Sequence, residues 1–243
     1  MATTTTAEWV ELHEKKEFSR LLYTNPVCFL STSRTFEDGN NGSKDDDDVG
    51  GASRNVMVLS WLTATNNEGR FMFSLNRHRH TASILREGCE FVLSVPTKGM
   101  EELVLSVGRC SGRWGSKFEQ DRDASSKVTQ EDSTLSKRKR KLMERSRGVS
   151  GLAPVPLGGQ QVGSAPALFA IDGTVAHLKC RIYSIMKEAV IDENHFLVLA
   201  EVVEAHVKET HWDSNKKLFR PVTNESPYLT FFGSQTFGYA SLS

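Results

Sequence analysis

Alternation of apolar and polar positions predicts a chain built mostly from β-strands. Short runs rich in Val, Leu, Met and Phe are separated by Gly, Pro, Asn or Ser. The first four predicted strands are 25–33 (NPVCFLSTS), 55–63 (NVMVLSWLT), 69–75 (GRFMFSL) and 89–95 (CEFVLSV). In the second strand, alternation places Met57, Leu59 and Trp61 on one face and Val56 and Val58 on the other.

The second half of the chain repeats the strand pattern in longer runs. Two β-branched runs, 167–191 and 195–209, flank the turn 192–194, which predicts an antiparallel hairpin. Short helices are predicted at 81–87 and 99–108. Six or more strands with so few helices favour a mainly β fold, a closed antiparallel barrel rather than an α/β sheet.

Two polar segments interrupt this pattern and predict disordered surface insertions in a single domain that spans 1–243. Segment 37–54 contains Gly, Asn, Ser and four consecutive Asp residues, and segment 116–164 is polar at first and then rich in Gly and Pro. Loops of this kind lengthen a chain at small entropic cost.

Composition narrows the classes of partner. The 243 residues carry 30 Lys and Arg against 30 Asp and Glu, which argues against a general nucleic-acid or membrane-surface binder. The four cysteines show neither metal-ligand spacing nor a disulfide framework, and no apolar run is long enough to span a bilayer. These features predict a cytoplasmic protein without a metal, although the basic run Lys137 to Lys141 could be a nuclear-import signal or a nucleic-acid patch.

An unusual concentration of basic residues lies at 74–85 (SLNRHRHTASIL), between a predicted strand and a predicted helix. Helix N-termini bind phosphate through unpaired N–H groups, and Arg77 or Arg79 can add a forked, charge-assisted bond. The alternatives are a solvated corner, pairing with the acidic run Asp45 to Asp48, or a metal held by His78 and His80 with no third ligand in view.

The order of these motifs resembles the flavin reductase-like family, the split-barrel proteins of flavoredoxin type that bind FMN. The resemblance rests on NPVCFLSTS, NVMVLSWLT, SLNRHRHTASIL and CEFVLSVP, on the hairpin 178–207, and on the tail SPYLTFFGSQTFGY. It covers most of 20–115 and 165–240.

The resemblance implies an antiparallel split β-barrel with an FMN site at the basic corner. Thr81 and Arg77 would be the main phosphate ligands, helped by Asn76 and His78, and the backbone of 60–62 would border the flavin ring. The cofactor-binding residues expected on this basis are Asn55, Ser60, Trp61, Leu62, Thr63, Ser74, Leu75, Asn76, Arg77, His78, His80 and Thr81.

The implied activity is hydride transfer from NAD(P)H to flavin, or onward to a small electron acceptor, in a homodimer. The cofactor supplies this chemistry, so no general acid, base or nucleophile is required. His195 is a weak catalytic candidate at the pocket mouth, and it could equally be a half-exposed residue that closes the hairpin. Two alternatives remain: a flavin-binding or electron-carrier protein without turnover, and an interaction protein that acts through its basic insertion.

Overall fold

The described part of the chain is built mainly from strands. The structure, a computed structural model, describes residues 21, 25–33, 54–118, 148–157, 168–187, 192–221 and 226–240. The strands are β1 (Asn25–Pro26), β2 (Cys28–Ser33), β3 (Arg54–Leu59), β4 (Leu62–Ala64), β5 (Arg70–Asn76), β6 (Glu90–Val95), β7 (Pro154–Val155), β8 (Ala170–Ile171), β9 (Ala176–Met186), β10 (His195–Val207), β11 (Trp212–Asp213), β12 (Leu218–Phe219), β13 (Tyr228–Gly233) and β14 (Thr236–Ala240). The α-helices within these ranges are α1 (His80–Ile84) and α2 (Glu101–Arg109).

One antiparallel sheet dominates the fold, with the strand order β3-β2-β6-β9-β10-β5-β4. Its longest pair is β9 with β10, which runs from Ala176 opposite Val207 to Met186 opposite Leu197. This pair confirms the hairpin predicted from the two β-branched runs. Smaller sheets are formed by β1, β13 and β14, by β7 and β8, and by β11 and β12.

The large sheet curls into a barrel because its two edge strands are consecutive in sequence. β3 and β4 lie at opposite edges of the sheet, yet only Ser60 and Trp61 separate them. Three Cα–Cα steps span at most about 11 Å, so the two edges must lie close together. The arrangement confirms the predicted antiparallel split barrel.

The same connection corrects the prediction of one continuous strand over 55–63. β3 ends at Leu59 and β4 begins at Leu62, which pairs with Phe73. The Trp61 carbonyl accepts a hydrogen bond of 2.9 Å from the Ser74 backbone N–H. The chain therefore changes its pairing partner from β2 to β5 within two residues, which alternation alone does not reveal.

Strands β2 and β3 are buried on both faces, so the fold has two apolar clusters. One cluster fills the barrel and includes Leu30, Leu59 and Phe91. The other lies outside the barrel, under α2 and the C-terminal strands, and includes Phe29 and Val56. The predicted alternation of faces is correct within β3, while Trp61 lies beyond the end of that strand.

The two predicted insertions, 37–54 and 116–164, include residues that belong to the folded core. Arg54 belongs to β3, and its guanidinium lies 5.5 Å from the centroid of the Phe118 ring. Phe118, Val149 and Leu152 are buried in the outer apolar cluster. These residues belong to the core, whereas 37–53, 119–147 and 158–164, including the basic run Lys137 to Lys141, lie outside the described residues.

The helix after the basic corner is shorter than predicted. α1 has five residues, and the chain is already extended at Leu85. Gly88, with φ +81°, then turns the chain into β6. A helix of one turn has little dipole, so anion binding at this corner must depend mainly on side chains.

The cysteines and the helices can be compared with the sequence predictions. All four cysteines fall within the described ranges, and they form no disulfide. Among the described helices, none combines the length and the apolar character that a membrane crossing would require.

Candidate functional site

A cleft of about 490 Å³ lies between the barrel, α1, α2 and the β13–β14 hairpin. β3 supplies its inner wall, and the C-terminal half of α2 supplies the opposite wall. The lining residues are Asn55, Met57, Val58, Ser60, His78, Arg79, His80, Thr81, Val104, Leu105, Val107, Gly108, Arg109, Cys110, Ser111, Gly112, Lys117, Phe231, Gln235 and Phe237. The cleft therefore contains five of the predicted residues, Asn55, Ser60, His78, His80 and Thr81.

A buried hydrogen bond joins β3 to the first turn of α1 at the cleft wall. Asn55 Nδ2 donates to Thr81 Oγ1 at 2.8 Å, and both residues are 2% exposed. Asn55 Oδ1 is buried and has no hydrogen-bond partner. A Cβ at Gly112 would lie 2.3 Å from that oxygen, so only glycine lets the chain pass here. Asn55 and Thr81 thus hold polar groups in a fixed position beside the cleft.

The cleft carries an excess of positive charge. Arg79, Arg109 and Lys117 line it, together with His78 and His80, and no described lining residue is an Asp or a Glu. Arg79 Nη1 donates to the Gly108 carbonyl at 3.4 Å, which directs this side chain across the cleft. A concave site with several cations and no carboxylate favours an anionic ligand.

Lys117 is a cleft residue that sequence reasoning assigned to a disordered insertion. Its side chain is 3% exposed, and Nζ donates to the carbonyls of Val56 at 2.7 Å and Val107 at 3.1 Å. Burial lowers the pKa of Lys117 to about 8, and the nearby Arg79 contributes in the same direction. A single lysine at the start of a polar segment offers no sequence signal of burial.

The predicted phosphate ligand Arg77 does not line the cleft. Its backbone N–H donates to the Asn194 carbonyl at 2.7 Å, and its guanidinium donates to the Lys187 carbonyl. Both acceptors flank the turn that connects β9 and β10. Arg79, which the sequence allowed as an alternative, is the arginine of this corner that faces the cleft.

Trp61, Asn76 and His195 form a second group beside the cleft, at the seam of the barrel. The Trp61 and His195 rings lie 5.4 Å apart between centroids. Asn76 and His195 are opposed on β5 and β10, with Asn76 Nδ2 3.4 Å from His195 Nε2. Trp61 is 43% exposed, so this group offers an aromatic surface to a bound molecule.

Asp192 orients the imidazole of His195. His195 Nδ1 lies 3.0 Å from both carboxylate oxygens of Asp192. Hydrogen bonds from the His195 side chain and from the Asn194 backbone lower the pKa of Asp192. Because the carboxylate fixes Nδ1 as a donor, Nε2 of the neutral ring is an acceptor, and it faces the Asn76 amide at 3.4 Å.

His78 and Ser60 connect the two groups. Both line the cleft, and His78 Nε2 lies 3.3 Å from Asn194 Oδ1 in the turn before His195. Asn76 Oδ1 also accepts a 2.9 Å hydrogen bond from the His78 backbone N–H. The cleft and the Trp61–His195 pair therefore belong to one continuous surface.

The remaining predicted residues lie on strands next to this surface, outside the cleft lining. Leu62 and Thr63 pair with Phe73 and Met72 in the sheet. The Leu75 side chain is 1% exposed inside the barrel, so only its backbone could face a ligand. Ser74 Oγ is buried without a hydrogen-bond partner.

The C-terminal hairpin supplies cleft residues that the sequence did not identify. Phe231, Gln235 and Phe237 line the cleft, and Gln235 Oε1 accepts a 2.9 Å hydrogen bond from Arg109 Nη2. The tail motif was part of the resemblance, but strand alternation alone does not say which of its aromatic residues face inward.

A metal site at the two histidines gains no support. Over the part of the chain that the structure describes, no group of three or more His, Cys, Asp or Glu residues could hold a metal ion.

Comparison with known proteins identifies the family. Residues 18–233 match the family described as Flavin reductase like domain. No curated protein sequence matches the chain.

Several solved structures share the fold at low sequence identity. An FMN-binding protein from Thermus thermophilus is 16% identical with a TM-score of 0.56, and the alignment covers 98% of this chain and 97% of that one. The NADH:FAD oxidoreductase of Streptomyces globisporus C-1027 is 15% identical with a TM-score of 0.53, covering 98% and 99%. The styrene monooxygenase flavin reductase of Pseudomonas putida S12 is 15% identical with a TM-score of 0.53, covering 95% and 99%.

The family match spans most of the chain, and the fold of these structures is the curled antiparallel barrel described above. The chain therefore belongs to the flavin reductase like family of flavin-binding oxidoreductases.

Proposed function

We propose that the protein binds FMN in the cleft and transfers hydride from NAD(P)H to the flavin. The observation that carries the proposal is the cationic cleft around Asn55, Arg79 and Thr81, which continues onto the Trp61–His195 pair. Family membership supports flavin as the ligand. The proposal adds the identity of the reductant and the placement of the cofactor.

The cleft residues fit a phosphate-bearing cofactor. Arg79 can give a forked pair of hydrogen bonds to phosphate oxygens, and the Thr81 hydroxyl can donate beside it. The buried Asn55 side chain fixes the position of Thr81 through the 2.8 Å bond. Arg79 thereby takes the main phosphate role that the resemblance assigned to Arg77.

The size and walls of the cleft suit a mononucleotide. Its volume of about 490 Å³ falls within the usual range of ligand pockets. Met57, Val58 and Val104 give apolar surface on two sides, and Phe231 and Phe237 give aromatic surface on a third. A planar ring system gains from apolar and aromatic walls, whereas its phosphate requires the cationic end.

The chain's own residues would position the reactants at the seam between β3 and β4. Bound FMN supplies the hydride-accepting ring, so the protein contributes binding and orientation. Ser60 lines the cleft, and the next residue, Trp61, is partly exposed beside it. His195 Nε2, an acceptor in the tautomer that Asp192 fixes, would accept a hydrogen bond from the carboxamide N–H of the nicotinamide.

The decisive experiment is oxidation of NADH and of NADPH by the purified full-length chain, with and without added FMN. We expect FMN-dependent turnover that His195→Ala lowers by roughly tenfold in kcat/KM, because an orienting contact is lost. Flavin binding without any oxidation of either nucleotide would instead indicate a non-catalytic flavin or electron carrier. Absence of both would contradict the proposal.

A homodimer is the assembly that we propose. Tyr183, Met186, Val203 and Phe232 are large apolar residues that are each more than a third exposed. Burial of such surface against a second copy would stabilise a dimer. Light scattering should give twice the chain mass; a monomeric mass would contradict this part of the proposal.

The cytoplasmic location and the nuclear or nucleic-acid role of the basic run Lys137 to Lys141 remain predictions.

A further inference from the structure

Lys117 is a lysine with a buried side-chain amine, which is rare in proteins. The side chain is 97% buried, since its relative exposure is 3%, and it lines the same cleft as Arg79 and Thr81. Its ammonium has three N–H donors, and the Val56 and Val107 carbonyls accept two of them. The two described hydrogen bonds leave one N–H donor of this cleft residue without a described acceptor.

Within the described chain, no carboxylate pairs with this amine. The described ion pairs do not involve Lys117, and the described cleft lining contains no carboxylate. Removing a cation from water without an opposite charge is costly, and two carbonyl dipoles offset only part of that cost. Cys110 favours the charged amine and offsets a further part of the cost, whereas the neighbouring Arg79 adds repulsion. An anion in the cleft would compensate both cations at once.

We propose that Lys117 is an anchor for the dianionic phosphate monoester of the ligand, and that binding of this group is coupled to protonation of the Lys117 amine. The inference rests on the proposed function insofar as the ligand is FMN. Lys117, which lies outside the basic corner, would then bind the phosphate, and the affinity for the ligand would depend on pH.

The direction of the pH effect follows from burial. Burial lowers the pKa of Lys117 to about 8, against an opposing effect of Cys110 and with a smaller contribution from Arg79, whereas a bound dianion would raise the pKa again. Above about pH 8 the empty cleft holds a neutral amine, so binding must take up a proton. Affinity for the phosphate group then falls by up to about tenfold per pH unit. At pH 7 the amine is largely charged and the phosphate is mostly a dianion.

Other titratable groups face the cleft and must be separated from Lys117. The loop before α1 and α1 itself contribute His78, Arg79 and His80, and the end of α2 contributes Arg109 and Cys110. The lining residues from β3 and from the β13–β14 hairpin carry no titratable side chain. Cys110 is the relevant competitor, because its side chain interacts electrostatically with Lys117.

The test is a fluorescence titration of FMN and of riboflavin, which lacks the phosphate, at pH 7 and pH 9. Wild type should bind FMN more weakly at pH 9 than at pH 7, by up to about tenfold. The affinity for riboflavin should change much less, and it also controls for ionisation of the flavin ring. Cys110→Ser should keep the pH dependence of the wild type.

Substitutions of Lys117 separate charge from structure. Lys117→Met should weaken FMN binding by roughly tenfold or more at pH 7, leave riboflavin binding unchanged and abolish the pH effect. Lys117→Arg keeps its charge at pH 9, so it should bind FMN equally at both pH values. Circular dichroism and thermal unfolding would establish that each variant is folded.

Three outcomes would overturn the inference. In the first, Lys117→Met binds FMN as wild type does, with the same pH dependence. In the second, riboflavin and FMN binding fall together in Lys117→Met, which makes the lysine purely structural. In the third, Cys110→Ser abolishes the pH effect.

A failure of the proposed function gives a different result in these titrations from a failure of the Lys117 inference. If wild type binds neither flavin, the choice of FMN is wrong, and inorganic phosphate becomes the probe of Lys117. Phosphate should then raise the unfolding temperature of wild type and not that of Lys117→Met. Equal shifts in both proteins would overturn the inference independently of FMN.

Discussion

The amide of Asn55 donates a 2.8 Å hydrogen bond to the hydroxyl of Thr81, two residues that are 26 positions apart and almost fully buried. This bond ties the inner wall of the cleft to α1, the short helix whose N-cap residue is Arg79. Because an unpaired buried donor is costly, the bond constrains both side chains to one arrangement.

Thr81→Val tests this arrangement with a side chain of the same shape. Asn55 loses its acceptor, so we expect a loss of about 1–3 kcal/mol in the free energy of unfolding. FMN binding should weaken by roughly tenfold, because a phosphate donor is also removed. Urea unfolding and flavin fluorescence measure the two effects. Thr81→Ser retains the hydroxyl and should remain close to wild type in both; equal behaviour of Ser and Val would contradict the role given to the hydroxyl.

Gly112 should be intolerant of a side chain for steric reasons. A Cβ there would lie 2.3 Å from Asn55 Oδ1 and 3.0 Å from His80 Cδ2. We expect Gly112→Ala to displace the Asn55 amide and to lower the free energy of unfolding by about 1–3 kcal/mol. The matched control is Gly108→Ala in α2, where the nearest atom to the new Cβ, in Val58, is 4.0 Å away. That change should be neutral or stabilising by up to about 1 kcal/mol. Similar losses in both variants would rule out the steric explanation.

Asp192 should affect the nicotinamide step and leave flavin affinity unchanged. Its carboxylate lies 3.0 Å from His195 Nδ1 and fixes the tautomer of the ring. We expect Asp192→Asn to raise the KM for the reduced nucleotide by roughly threefold to tenfold, with the Kd for FMN unaltered. Steady-state kinetics at saturating FMN would give the KM. A variant with wild-type KM would contradict the role proposed for His195 in binding the nicotinamide.

His177 should make the fold sensitive to acid. Its pKa is lowered to about 4, mainly by burial and also by His206 and Lys208, whereas the unfolded value is 6.5. Between pH 6.5 and 4 the unfolded chain binds a proton that the folded chain does not, so stability falls as pH falls. We expect His177→Gln to reduce this loss by on the order of 2–3 kcal/mol between pH 7 and pH 4. Parallel pH profiles of unfolding free energy in the two proteins would show that another group is responsible.

The fold was largely predictable from the sequence, because strands with regular alternation of apolar and polar residues can be recognised from a few consecutive positions. The hairpin of β9 and β10 was recognisable from two β-branched runs around one turn. The transfer of the chain from one sheet edge to the other at Ser60 and Trp61 was not recognisable. That step depends on the curvature of the whole sheet, which no local pattern encodes.

The candidate site was predicted in part. Basic residues next to Thr81 drew attention to a corner that lines the cleft, but a local pattern in a loop does not tell which arginine faces inward. Arg77 contacts the distant β9–β10 turn, and Arg79 faces the cleft. Lys117 and Gln235 enter the cleft from segments far along the chain, so only the tertiary structure brings them there.

The most direct test of the central claim is a titration of FMN into the purified chain, comparing Arg79→Met with Arg77→Met. Arg79 lines the cleft and Arg77 does not, so the account predicts saturable binding to wild type and to Arg77→Met, and binding at least about tenfold weaker to Arg79→Met. Loss of binding in Arg77→Met with wild-type affinity in Arg79→Met would contradict the placement of the phosphate, and no binding by wild type would contradict the flavin site itself.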